Sequence, residues 1–246
     1  MVTVDGNYKY YSYTSSAARI DEILDQPTGQ FEEKDNFPDR DRLTYTNGVY
    51  GKCTAIFVDI RDSSGLTEKH ERPALAKICR SFISEMVAVL NSSPLVREVN
   101  IVGDCVWAVY STPLQSNIDD LFNIVCTANT LKKLLNAKLS KKALTPLKLG
   151  IGVDYGRALM IKAGYSGSGI NDVIYMGDVV NRAAHLANKA GRAYADPIWV
   201  GDWFAGNLNE HNAKLLTSSY ETGLGKVRKG NAIISPMDEW IDENFG

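Results

Sequence analysis

The stretch Cys53-Thr-Ala-Ile-Phe-Val-Asp-Ile60 is a short run of apolar and β-branched residues with one acid near its end. The turn-forming residues Asp62-Ser-Ser-Gly65 follow almost at once. Short apolar runs bounded by such residues are typical of buried strands. The stretch therefore predicts a buried strand that presents Asp59 to a loop at its end.

The residues after this strand alternate between helix and strand patterns. Beyond Pro73, apolar residues recur every three or four positions, which predicts an amphipathic helix. Two apolar runs, Val96–Val102 and Cys105–Tyr110, then flank the pair Gly103-Asp104. This spacing predicts a tight hairpin with Asp104 at its tip.

The second half of the chain continues the alternation after another helix pattern. The runs 147–153 and 158–161 are expected to pair as a hairpin through the turn Asp154-Tyr155-Gly156. A further helix is predicted from near Gly177 to Gly191, with a strand after it. The order of elements predicts an α+β fold, a ferredoxin-like sheet with helices on one face.

Composition and charge limit the classes of protein. The 246 residues include 27 Lys+Arg and 29 Asp+Glu, a net charge of −2, whereas nucleic-acid and membrane-surface binders need clustered basic charge. No long apolar run or signal-peptide core occurs. We therefore expect a soluble cytoplasmic protein without nucleic-acid or membrane partners. A polar N-terminal arm over residues 1–48 is expected to precede one domain over residues 49–246.

Cysteine and histidine usage indicates no zinc site. The four cysteines each sit in apolar segments, at spacings that form no Cys-x-x-Cys pair, and only three histidines occur. Buried free thiols in a reducing compartment are the expected state.

Asp59 and Asp104 stand out by position. The hairpin that carries Asp104 is expected to pair beside the strand that ends at Asp59, so both carboxylates are predicted at one edge of the sheet. A lone aspartate there is more often a turn or capping residue. Two converging carboxylates suit magnesium-type ions, which take further ligands from water and substrate phosphates.

Backbone groups beside these carboxylates are further candidates. The carbonyl of Ile60 is a candidate oxygen ligand for a metal. Successive N–H groups from Arg61 through Ser63, Ser64 and Gly65 are candidates for a cradle around a polyphosphate.

Four motifs, in this order, resemble those of the class III nucleotidyl cyclases over about residues 50–231. They are Phe57-Val-Asp-Ile60 with the turn to Gly65-Leu-Thr67, Val99-Asn-Ile-Val-Gly-Asp104, Gly150-Ile-Gly-Val-Asp-Tyr-Gly156 and Met176-Gly-Asp-Val-Val-Asn181. The resemblance implies a head-to-tail homodimer with two composite sites. One subunit would supply the metal aspartates, and the other the residues that bind the base and the transition state.

The resemblance also implies residue roles. Asp59, Asp104 and the Ile60 carbonyl would hold two ions, Mn²⁺ or Mg²⁺, for in-line attack of a ribose 3′-hydroxyl on the α-phosphorus. Asn181 matches the family's ribose-orienting amide, and Lys229 its phosphate-binding lysine. Helix-surface polarity for Asn181 and a solvated charged turn for Lys229 are the open alternatives.

Two departures from the family pattern concern specificity and rate. Asn100 and Ile174 stand where purine cyclases carry their base-selecting pair. Asn can donate and accept, so it suits a pyrimidine edge without distinguishing uracil from cytosine. His185 stands where a transition-state arginine is expected, and Arg61 is expected to compensate from the phosphate loop.

Tyr50 and Cys53 are the remaining predicted substrate contacts. On a period of two, Cys53 shares the face of Asp59 and is expected to line the same cavity. Tyr50, next to Gly51, is expected at the mouth of the base pocket, where its ring would exclude purines. Packing of Tyr50 on the sheet is the alternative.

Together with the N-terminal arm, these features are similar to the bacterial pyrimidine cyclases of antiphage Pycsar defence. This resemblance implies a uridylate cyclase that converts UTP to 3′,5′-cyclic UMP and pyrophosphate. The product would be a second messenger for a separate downstream effector, which is not a direct partner. The alternatives are a cytidylate cyclase that uses CTP, a purine cyclase with an altered pocket, and a catalytically silent nucleotide-binding dimer.

Overall fold

A computed structural model describes residues 6–27 and 31–245; residues 1–5 and 28–30 of the predicted arm lie outside the described residues. The helices are α1 (Tyr13–Leu24), α2 (Ser63–Lys69), α3 (Arg72–Leu90), α4 (Ser116–Ser140), α5 (Asp178–Lys189), α6 (Asp202–Gly206), α7 (Glu210–Ala213) and α8 (Ser235–Phe245). The strands are β1 (Phe31–Lys34), β2 (Gly48–Arg61), β3 (Val96–Val102), β4 (Cys105–Ser111), β5 (Lys148–Tyr165), β6 (Ile170–Met176), β7 (Ile198–Gly201), β8 (Thr217–Glu221) and β9 (Gly225–Gly230).

One mixed sheet organises the chain. Its strand order is β3-β4-β2-β5-β7-β9-β8, with β1 paired to β2 and β6 paired to β5. The long strands β2 and β5 pair antiparallel from Gly48 opposite Ile161 to Arg61 opposite Lys148. The predicted α+β fold is confirmed. None of the described helices is long and apolar enough to cross a membrane.

The two faces of the sheet carry different helices. Alternate residues of β2, including Ile56 and Val58, are buried with α3 and α4 in the main core. On the other face α5 packs over β5, β2 and β7. The prediction of helices on one face therefore holds for α3 and α4 and is wrong for α5. Gly152 makes this approach possible, because a Cβ there would lie 2.1 Å from the Ala187 nitrogen.

The predicted turn at residues 154–156 does not form, and β5 runs through it. Asp154 is buried and accepts a hydrogen bond from Arg182 Nε of α5 at 2.8 Å. Gly156 faces Val179 of the same helix, which a Cβ would meet at 3.4 Å. Asp154 and Gly156 therefore make contacts with α5 instead of forming a turn.

The predicted arm contacts the domain along much of its length. Strand β1 pairs with β2. Phe37 and Leu43 are buried in a second core, which lies between the sheet and α5 and includes Val179 and Ala183 of that helix. Helix α1 buries no residue. It is preceded by Asn7, whose side-chain amide donates to the Ser168 carbonyl at 2.6 Å, at the tip of the β5–β6 hairpin.

Candidate active site

The structure places Asp59 and Asp104 at neighbouring positions at the end of β2. Asp59 is opposite Cys105 in the β2–β4 register, and the Ile60 N–H donates to the Asp104 carbonyl at 3.4 Å. Asp59 is on β2, and Asp104 is in the β3–β4 turn, where Gly103 adopts the positive φ of +61° that a tight turn needs. Pairing of β4 with β2 brings the two residues close.

The pKa of Asp59 reflects its burial and the charges of its neighbours. Burial raises the pKa of the Asp59 carboxyl above its usual range, the charge of Asp104 raises it further, and the Arg61 guanidinium opposes the rise. Within residues 6–27 and 31–245 no group of three or more His, Cys, Asp and Glu side chains is gathered as a metal site. Two carboxylates nevertheless fit ions of the magnesium type, which need only one or two protein carboxylates.

Arg61 lies elsewhere than expected. Its side chain is only 2% exposed and forms an ion pair with Asp59. Its Nη1 donates to the carbonyl of Asn188, near the end of α5, at 2.9 Å. The prediction that Arg61 acts from a phosphate loop in place of the transition-state arginine is therefore wrong, since its guanidinium is enclosed within the protomer.

The residues expected to form a phosphate cradle begin a helix instead of a loop. Asp62 takes the left-handed conformation, with φ of 56°, and α2 starts at Ser63. The Gly65 N–H donates to the Asp62 carbonyl at 3.0 Å, so it is used within the turn. Of the backbone N–H groups predicted from Arg61 to Gly65 to bind phosphate, those of Ser63 and Ser64 at the start of α2 remain candidates.

Helix α5 presents a polar stripe to solvent. Asn181, His185 and Asn188 are exposed, at spacings of four and three residues, while Ala183 and Leu186 between them are buried. Asn188 contacts Arg61, whereas Asn181 lies two turns away, about 10 Å along the helix axis. Asn181 therefore does not share the contact that Asn188 makes with Arg61.

The two residues of the predicted base-selecting pair lie on strands that Arg40 bridges, through Glu98 of β3 and Asp172 of β6. Asn100 is buried on β3 and hydrogen-bonds Glu98, two residues earlier on the same face. Ile174 is 38% exposed on β6 and points away from its buried neighbours Val173 and Tyr175.

Glu98 is a residue that the sequence analysis missed. Burial raises the pKa of its carboxyl, and Arg40 Nη1 lies 3.8 Å from it. Counting by two from Asn100 along the predicted strand would have found it.

Tyr50 and Cys53 do not share a cavity with Asp59. Cys53 is fully buried in the second core, and burial raises the pKa of its thiol to about 12. Tyr50 is 42% exposed on the opposite face of β2, nine residues or about 30 Å along the strand from Asp59. Its ring lies 5.6 Å from the Arg157 guanidinium. The prediction that Cys53 lines a cavity with Asp59 is therefore wrong, whereas the place of Tyr50 at the mouth of a base pocket stays a prediction.

Lys229 is engaged within its own protomer. It forms an ion pair with Glu221, and its Nζ lies 3.8 Å from the centre of the Trp199 ring. The hydrogen bond from Lys229 lowers the pKa of Glu221. A phosphate at this position would have to replace Glu221 as the partner of Lys229.

An aromatic pair that the sequence analysis did not single out lies on the face of Asp59. The rings of Phe57 and Trp107 stack 5.0 Å apart, and both side chains are half-buried. On this face α5 packs on β5, β2 and β7 but has at most marginal contact with β4 and β3 among the described residues. We call this region, around Phe57 and Trp107, the open face.

Comparison with known proteins decides the family. The protein-family model for the adenylate and guanylate cyclase catalytic domain matches residues 46–194 of this sequence. The chain belongs to the class III nucleotidyl cyclases. Members of this class act on nucleoside triphosphates with divalent metal ions and typically dimerise.

Curated relatives of this cyclase match it over nearly its whole length. A protein named uridylate cyclase from Treponema porcinum is 36% identical over 236 residues, 96% of this chain and 82% of that protein. Another so named, from Gulbenkiania mobilis, is 39% identical over 97% of this chain and 98% of its own. The solved adenylyl cyclase CyaB from P. aeruginosa has a TM-score of 0.63, with 18% identity, over 74% of this chain and 95% of its own. At that identity the likeness shows the fold alone.

Proposed function

We propose that this cyclase is a uridylate cyclase, which converts UTP to 3′,5′-cyclic UMP and pyrophosphate. The observation that carries the proposal is the match of 36% and 39% identity to two proteins of that name over 96% and 97% of the chain. The uncharged pair Asn100 and Ile174 supports it, because neither residue supplies the charge with which purine cyclases select their base.

Asp59 and Asp104, with the carbonyl of Ile60, would hold the divalent ions, two Mn²⁺ or Mg²⁺ per site. All three donors are oxygen atoms, which these cations prefer. When bound, the ions would lower the pKa of the ribose 3′-hydroxyl and screen the charge of the triphosphate.

The other residues of the proposed site would come from a second copy of the chain. Asn181 would hold the ribose so that its 3′-oxygen is in line with the bond that breaks between the α-phosphorus and pyrophosphate. His185 would donate a hydrogen bond to the phosphoryl oxygens as negative charge shifts there. Lys229 would bind the triphosphate after release from Glu221.

The open face is the surface on which we place the second copy, because it exposes a stacked aromatic pair beside Asp59. We expect Trp107→Glu to weaken dimerisation by at least about 30-fold, since it removes a large aromatic side chain and buries a charge against the partner. Light scattering after gel filtration measures the effect, and cyclase activity should fall with the dimer. Trp203→Glu, an exposed tryptophan on α6, is the matched control. If Trp107→Glu dimerises as strongly as the unmodified chain, the open face is not part of the dimer interface.

Product identification tests the function. The purified chain would be incubated separately with UTP, CTP, ATP and GTP in Mn²⁺, and the products identified by mass spectrometry. Cyclic UMP is the expected main product. Cyclic CMP would make the chain a cytidylate cyclase, cyclic AMP or GMP would overturn pyrimidine selection, and no product would favour a silent nucleotide-binding dimer.

We also propose, on the family resemblance, that the product is a second messenger in antiphage defence. It would act on a separate effector. A rise of cyclic UMP in cells that carry this cyclase after phage infection, absent with Asp104→Asn, is the expected observation.

A further inference from the structure

We propose that Arg61 is a positioning residue, which holds the Asp59 carboxylate in the orientation that a divalent cation needs and is itself anchored on the end of α5. The inference rests on the proposed function, because it takes Asp59 to be a metal ligand.

The polar contacts of Arg61 are divided between two acceptors. The residue follows Asp59 by two positions on β2, so both side chains leave the same face of the strand. One guanidinium nitrogen bonds the Asp59 carboxylate, and the other donates to the Asn188 carbonyl. Its Nε has no hydrogen-bond partner among the described residues. Arg61 therefore joins Asp59 to the backbone of α5.

The guanidinium lies in a closed slot. A Cβ at Gly150, the residue opposite Asp59, would lie 3.1 Å from the Arg61 Cζ and 2.5 Å from the carbonyl oxygens of Ala187 and Ala190. The glycine thus leaves room for the guanidinium between β5 and the end of α5. Because protein backbone encloses it and only 2% of the side chain is exposed, Arg61 is held in one place.

A fixed hydrogen-bond donor behind a metal-binding carboxylate orients that carboxylate, and removal of such outer partners typically weakens metal binding by 10–100-fold. A buried guanidinium without a counter-ion is strongly unfavourable, so burial of Arg61 also favours its contact with Asp59. The contact is thus suited to present the second carboxylate oxygen of Asp59 to a cation.

Arg192 allows two effects of an arginine on cation binding to be separated: the effect of its positive charge and the effect of its hydrogen bond to Asp59. Its Nε donates to the same Asn188 carbonyl, and its charge lowers the pKa of Asp59, but the residue is exposed and makes no hydrogen bond to that carboxylate. If charge alone mattered, removal of either arginine would strengthen cation binding. If position matters, only the removal of Arg61 weakens it.

Calorimetric titration of the full chain with Mn²⁺, without nucleotide, tests the proposal. We expect Arg61→Met to bind Mn²⁺ about 10–100-fold more weakly than the unmodified chain. Arg192→Met should bind at least as tightly as the unmodified chain. Arg61→Lys, which keeps the charge but lacks the fork that reaches two acceptors, should remain weakened.

Equal or tighter Mn²⁺ binding by Arg61→Met would overturn the proposal, because Arg61 would then compete with the cation. Should Arg61→Met fail to fold, Arg61→Lys and Arg61→Gln carry the test with the same criterion. Asp104→Asn separates this inference from the proposed function. If Asp104→Asn binds Mn²⁺ normally, the metal site itself is misplaced. If Asp104→Asn loses Mn²⁺ binding while Arg61→Met retains it, only the role of Arg61 fails.

Discussion

Asp104→Asn should reduce the rate of cyclisation by about 10³-fold, since removing electrostatic stabilisation of several kcal/mol costs a factor of ten for each 1.36 kcal/mol. The carboxylate is at the tip of a hairpin and partly exposed, and the backbone carbonyl that accepts from Ile60 is retained. The free energy of unfolding should therefore be almost unchanged. Rates of cyclic nucleotide formation, with urea unfolding alongside, measure both quantities.

Asp59→Asn should be equally inactive but less stable. It removes the counter-ion of Arg61, whose guanidinium would stay buried, and we expect the free energy of unfolding to fall by about 1–3 kcal/mol. Asp120→Asn, an exposed aspartate of α4 on the far side of the sheet, is the control for both variants. Normal turnover in Asp104→Asn would refute its assignment as a metal ligand.

Gly152→Ala should destabilise the fold by about 3 kcal/mol or more, at the upper end of what overpacking costs. The added Cβ would lie 2.1 Å from the Ala187 nitrogen and 2.2 Å from the Ala183 carbonyl oxygen. Both contacts are backbone atoms of α5, which cannot move aside as a side chain can. Because α5 carries Asn181 and His185, displacing this helix from the sheet should also abolish activity.

Gly156→Ala is the matched control, on the same strand and facing the same helix. Its Cβ would meet Val179 at 3.4 Å, an ordinary contact, so its unfolding free energy should change by less than about 1 kcal/mol. Urea unfolding of the two variants measures the difference. Similar stability for both would mean that α5 does not lie as close to Gly152 as described.

The parts of the fold that local pattern decides were predictable. The β3–β4 hairpin forms as expected because Gly103-Asp104 supplies its own turn chemistry. Residues 154–156 have the same local signature, yet β5 continues through them. The reason is distant in sequence: Arg182 and Val179 of α5 contact this segment, and no local pattern reveals them.

The candidate site was predictable to a similar extent. Asp59 and Asp104 come close because β4, which begins directly after Asp104, pairs with β2 as the sequence analysis expected. The partners of Arg61 and Lys229 depend on packing between elements that no local pattern links. Arg61 contacts Asn188, 127 positions away in sequence. The position of Tyr50 was within reach of the sequence, since a period of two places residues 50 and 59 on opposite faces of one strand.

Mixed dimers test the central claim most directly, namely that the metal carboxylates and the ribose-binding amide come from different copies. Asp104→Asn and Asn181→Ala, each nearly inactive alone, would be co-expressed with different tags and the dimers assayed for cyclic UMP. Random pairing makes half of the dimers mixed, and each has one intact site of two, so we expect about a quarter of the unmodified activity. Mixed dimers that form but show no recovery would contradict the claim and place both residues in a site within one chain.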